Sequence, residues 1–246
     1  MFTHISNFRH PEKNNLINEN LFFEIILGIV NRQDKQHHLS QGSIKRRLKV
    51  AIEKLNHQTL DTRLQGISEL ENLAIYYREY NWEIMDILTA FVRKNSVNKA
   101  HQEVNSLSSP KIQPDIQASL QVITRTNTQK PINSEQLDLS YTDLRGANLC
   151  GANLTGANLY QVNLSGVNLA GANLSGAILS AANLSEANLI GANLSEAIIS
   201  AANLSQANLA KANLVKANFY LANLSQTNLQ DAMLDGANFR EAKFSG

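Results

Sequence analysis

One cysteine, Cys150, stands in 246 residues. No internal disulfide can therefore form, and a lone thiol points to a reducing compartment. Long apolar runs are also missing. The most apolar stretch, Leu21–Val30, is about ten residues long and contains Glu24, whereas a membrane-spanning helix needs about 20 apolar residues. The opening MFTHISNFRH lacks the charged segment, hydrophobic run and cleavage site of a signal peptide. Charge of one sign is scarce as well: the formal net charge is +1, so no global field announces nucleic acid or a membrane surface. A cytoplasmic protein without a transmembrane segment is expected.

Catalytic chemistry is equally thin. The six histidines, His4, His10, His37, His38, His57 and His101, all precede residue 137 and none lies near the cysteine. His37 and His38 are adjacent rather than spaced to share a helix face, a poor pattern for metal ligation. No phosphate loop, dinucleotide fingerprint or nucleophile elbow occurs. Cys150 has no basic group near it in sequence that would activate a thiolate. These absences lead to the expectation of a non-enzymatic protein with no metal and no cofactor.

What the chain does have is a period. From Leu137 to the last residue it reads LDLSY, TDLRG, ANLCG, ANLTG and onward to AKFSG, giving 22 pentapeptides without a gap. The middle residue of every unit is Leu except Ile199, Phe219, Phe239 and Phe244. Two positions before it 17 of the 22 are Ala, and one position before it 16 are Asn. Leucine at every fifth residue drifts around a helix of 3.6 residues per turn by about 140° at each step and forms no stripe. Within a unit the Ala and Leu are two apart, so both point to one side of a short extended piece. The two residues that follow, often Ser-Gly, Thr-Gly or Ser-Glu, read as a corner. Four corners return the chain above itself after 20 residues, which predicts a square tube with Leu stacked inside and Asn, Ser and Gly outside. At about 4.8 Å per coil, five and a half coils span roughly 26 Å.

The A-N-L-x-x units resemble the pentapeptide-repeat family, and the resemblance covers 110 of the 246 residues. It implies a right-handed quadrilateral β-helix; handedness comes from the resemblance and not from the period. The expected fold class is α+β, an N-terminal α-helical domain followed by this solenoid of about 5.5 coils.

Ahead of the repeats the pattern is helical. Leu21, Phe22, Ile25, Ile26, Ile29 and Val30 predict a helix over about 17–32. Ile44, Leu48, Ala51, Ile52 and Leu55 predict a second, with Ser40 or Ser43 as N-cap. Leu60, Leu64, Ile67, Leu70 and Ala74 mark a third; Asn81 is placed to cap a fourth carrying Ile84, Met85, Leu88, Phe91 and Val92. Residues 97–113 are polar and loop-like, and Pro114-Asp115 opens a fifth helix with Ile116, Leu120 and Ile123. The resulting division is a helical domain over 1–125, a linker over 126–136 and the repeats over 137–246. The stretches RLQGISELENLAIYYREYNWEIMDILTAFVR and PDIQASLQVITR are similar to the helical segment preceding the repeats in one subgroup of the family, common in cyanobacteria and other bacteria. A β-helix exposes its core and unpaired edges at its ends, and the fifth helix is placed to cover the first coil at Leu139 and Leu144.

Function must be sought on the outer walls, since the interior only holds the tube together. Outward positions twenty apart stack on one wall. One wall carries Asn158, Tyr160, Ile178, Ala181, Ile198, Ala201, Tyr220 and Leu221, with no charge between Tyr141 and Arg240. The candidate protein-binding residues there are Tyr160, Ile178, Ile198, Tyr220 and Leu221, because a contiguous apolar patch usually marks a contact surface. Three explanations stay open: the N-terminal helices fold back over the wall, a partner protein or second copy binds it, or the repeat has drifted without consequence. A second candidate is the C-terminal end, where Phe239 and Phe244 enlarge the core and invite a weak homodimer, as the gyrase-binding members of the family use; sealing of a fraying end is the alternative.

The leading expectation is a protein–protein interaction scaffold with an unidentified protein partner. The family resemblance raises another reading, a DNA mimic that binds gyrase or a topoisomerase. From Glu135 onward there are eight acidic and five basic residues, against about 15 duplex charges over the same length, so mimicry is disfavoured. A membrane-associated scaffold is a third reading, suggested only by membrane-bound members of the subgroup. The run Lys45, Arg46, Arg47 and Lys49 reads as a solvated helix face, and no nucleic-acid partner is expected.

Overall fold

A computed structural model of the chain describes residues 41–96, 112–126 and 136–245. All of them belong to the second of two compact units, Lys35–Gly246, the first being Met1–Asp34. The expected helix over 17–32 and nearly all of the expected linker and polar loop lie outside the described residues, as does Ser40.

Four helices precede the repeats: α1 (Gln41–Leu55), α2 (Leu60–Tyr76), α3 (Asn81–Asn95) and α4 (Pro114–Thr126). Helix α1 packs on α2, and α4 packs on both α2 and α3. Their core is built from the 3–4 spaced apolar residues, among them Leu48, Leu55, Leu70, Leu73, Ile84, Leu88, Phe91, Ile116 and Leu120, all buried. The α1–α2 crossing is close because Gly66 has no side chain; a Cβ there would stand 2.8 Å from the Ala51 carbonyl oxygen.

Of the expected caps, Ser43 and Asn81 are corrected, while the alternative Ser40 lies outside the described residues. Ser43 lies inside α1, which is already helical at Gln41. Asn81 is the first helical residue of α3 and not its cap. A 3-10 turn, Arg78–Tyr80, runs straight into the helix, so Tyr80 occupies the capping position and Asn81 has helical angles. The Asn81 Oδ1 is buried without a hydrogen-bond partner among the described residues.

The start of α4 is tied to the start of α2 by a buried ion pair. Arg63 Nε donates to Asp115 Oδ2 at 2.6 Å, with the Asp115 side chain 2% exposed. The Arg63 guanidinium also donates to the carbonyls of His57 and Gln58, and Asp115 Oδ1 accepts the Ile116 N–H.

The repeats wind as the period requires. Parallel bridges pair residues twenty apart from Asp138↔Asn158 to Asn223↔Lys243, four in each period. Two backbone hydrogen bonds recur at each bridge: Leu164 N–H donates forward to Asn183 O at 2.7 Å, and Asn183 N–H donates back to Val162 O at 2.9 Å. A third closes each corner. Ala187 N–H donates to Leu184 O at 3.1 Å, and Glu186 between them has φ 60°. That is the pattern of a type II turn, whose third residue needs positive φ. Thirteen corners use a non-glycine residue and eight use glycine at this position. The central Leu positions from Leu139 to Leu224 are at most 3% exposed, and the Ala positions between them are buried alongside.

Loss of one partner from a buried ion pair leaves the other charge stranded. Arg63→Met is therefore expected to lower unfolding free energy by about 3 kcal/mol. Urea titration followed by circular dichroism at 222 nm measures it; an unchanged midpoint would show that Asp115 finds water instead.

Candidate functional site

Each wall of the tube is paved by the Asn that precedes the buried Leu. Its side chain works twice. In the unit Asn183–Leu184–Ser185, Asn183 Oδ1 accepts the Ser185 N–H at 3.2 Å, locking the corner, while Asn183 Nδ2 donates to Asn163 Oδ1 of the previous turn at 3.3 Å. The same ladder continues through Asn203 and Asn223 at 3.3 and 3.1 Å. Asparagine is favoured because its short amide can bond its own backbone two residues on.

One wall breaks this rule twice in succession. Ile178 and Ile198 replace Asn in adjacent turns and bridge each other. The Ser180 and Ser200 N–H groups thereby lose the side-chain acceptor that corners led by Asn or Asp have, a loss shared at Met233 and Lys243 on other walls. Ile198 is 43% exposed, Leu221 47% and Tyr141 38%, while Ile178, Tyr160 and Tyr220 are half-buried. All five sequence candidates, Tyr160, Ile178, Ile198, Tyr220 and Leu221, thus fall on one wall.

The aromatic residues of this wall are held by neighbours. The Tyr160 ring meets Tyr141 edge-on, with centroids 5.4 Å apart and planes at 78°, and its hydroxyl accepts from Gln161 Nε2 at 3.3 Å. The Tyr220 hydroxyl donates to Glu241 Oε2 at 3.4 Å. Burial pushes the Tyr141 phenol above its ordinary value; Tyr160 and Asp138 add to the effect and Arg93 opposes it.

The two ends of the tube differ. At the N-terminal end the helices satisfy the first turn. Asp143 N–H donates to Ser96 O at 2.6 Å. The Gln117 amide takes the place of a missing backbone segment: its Oε1 accepts from Asn148 N–H at 2.8 Å and its Nε2 donates to Asn148 O at 2.9 Å. Arg93 pairs with Asp138 at 2.9 Å. Leu139 and Leu144 beneath are fully buried. At the C-terminal end Phe239 stacks on buried Phe219 at 5.0 Å and Phe244 tilts against Phe239 at 5.7 Å. Phe244 is 57% exposed and Leu234 41%.

The remaining sequence candidates lead elsewhere. Arg47 of the basic run binds Glu69 on α2 at 2.7 Å, whereas Arg46 and Lys49 are exposed. Cys150 is exposed on a cleft of about 490 Å³ between α4 and the first turn, also lined by Gln121, Thr124 and Arg125. Among the described residues no group of three or more His, Cys, Asp or Glu is placed to hold a metal ion, and no helix is long and apolar enough to cross a membrane. Sequence reasoning missed two features: the Gln117 plug, a single side chain 31 residues from its partner, and the ladder, whose signal was the Asn column itself.

The family model of pentapeptide repeats matches in eight copies, over residues 135–171, 163–200 and 202–246. Among solved structures, the pentapeptide repeat protein Rfr23 of the cyanobacterium Cyanothece 51142 is 35% identical, with 48% of this chain and 68% of that chain covered, at a TM-score of 0.29. The pentapeptide repeat protein alr5209 of Nostoc Pcc 7120 is also 35% identical, with 44% of this chain and 86% of that one covered, at a TM-score of 0.35. QnrB1, a plasmid-mediated fluoroquinolone resistance protein, is 26% identical over 44% of this chain and 58% of that one, at a TM-score of 0.32. No curated protein matches the chain. The chain belongs to the pentapeptide-repeat family, and its tube is the right-handed β-helix of that family with helices at its N-terminal side.

Asparagine at residues 178 and 198 would restore the corner and ladder bonds, each worth about 1 kcal/mol net. The double substitution Ile178→Asn/Ile198→Asn is therefore expected to raise the unfolding free energy by about 1 kcal/mol, after loss of the half-buried isoleucine contacts. Chemical denaturation decides this. A fall of similar size would mean that the isoleucines are there for stability.

Proposed function

We propose that this protein is a non-enzymatic interaction scaffold and that the wall bearing Ile178 and Ile198 is its protein-binding surface. The observation that carries this reading is the paired loss of Asn. Two adjacent turns give up hydrogen bonds made elsewhere on the tube and present aliphatic side chains to solvent instead. Local rules of a fold are broken where function requires it, and a contiguous exposed apolar patch favours contact. The tube, about 5.5 coils of residues 137–246, acts as a rigid support, with helices α1 to α4 at its N-terminal side; a division into 1–125, 126–136 and 137–246 is part of this reading. A cytoplasmic location fits the single cysteine.

Electrostatics favour this over imitation of DNA. Four of the tube's carboxylates sit beside bases: Asp138 with Arg93, Asp143 with Arg145 at 2.6 Å, Glu196 with Lys216 at 3.7 Å, and Glu241 with Arg240 at 3.4 Å. A duplex mimic needs unpaired rows of negative charge, about one per 1.7 Å.

Affinity enrichment from a cell extract, run in parallel on the intact protein and Ile178→Asn/Ile198→Asn, tests the wall. Proteins held by the first and lost from the second are its partners. Equal recovery on both removes the wall from consideration.

The exposed Phe244 and the half-buried Phe239 beneath it support a second contact, a weak homodimer through the C-terminal end. Sedimentation is expected to show a dimer at high concentration that Phe244→Asp abolishes. A monomer throughout the range would dismiss the contact.

A further inference from the structure

We draw no further inference here: the strongest candidate, the cleft of about 490 Å³ between α4 and the first turn, carries none, because its exposed Cys150 is a lone thiol, the Arg125 that lines it already pairs with Glu71, and nothing in the structure points to a ligand there.

Discussion

Each turn of the tube depends on the next one for half of its backbone hydrogen bonds. From Leu139 to Leu224 the N–H of each central residue donates forward, and the N–H before it mostly donates back, so only the corner bonds are closed within a turn. The leucine stack inside supplies apolar burial, but the twenty-residue register decides where each leucine lands. A shift by one unit would keep leucine over leucine while moving every outer residue to a different wall. The outer pattern, and therefore any contact surface, is meaningful only because this register holds along the whole repeat.

The same dependence creates a problem at the first turn, where no earlier coil exists. Here the helical bundle stands in for backbone. Ser96, at the end of α3, offers a carbonyl to Asp143, and Gln117 on α4 offers a donor and an acceptor to Asn148, as a strand would. A glutamine side chain ends in the same amide group as a peptide bond, which is why one residue can complete a ladder position. The ion pair Arg63–Asp115 fixes the start of α4 and so the position from which Gln117 reaches.

Much of this was legible in the residues. The five-residue period fixes Leu and Ala inside and places Tyr160, Ile178, Ile198 and Tyr220 on one wall, because both follow from spacing alone. The helices α1 to α4 follow from apolar residues three and four apart. Other features were not legible. Asn81 has the residue type of a cap, but Arg78–Tyr80 already winds toward the helix, and a preceding 3-10 turn leaves no trace in composition. The Ser-Gly and Ser-Glu pairs read as corners, but nothing in them indicated that residues such as Glu186, Lys211 and Leu221 adopt positive φ there; the bonds on either side of the corner outweigh the strain of a single residue. The Gln117 contact joins two segments through one side chain and has no periodic signature.

Those substitutes at the first turn also bear on assembly of the repeat. A free first coil would have to order some twenty residues before gaining a single inter-turn bond, the loop-closure penalty that makes non-local structure slow to form. Helices form from local contacts, and once packed they hold Ser96 and Gln117 as a ready-made edge. Among the described residues that edge already stands beside the first turn, at Ser96 and Gln117, so the closure penalty of the first coil is offset by bonds that the helices supply.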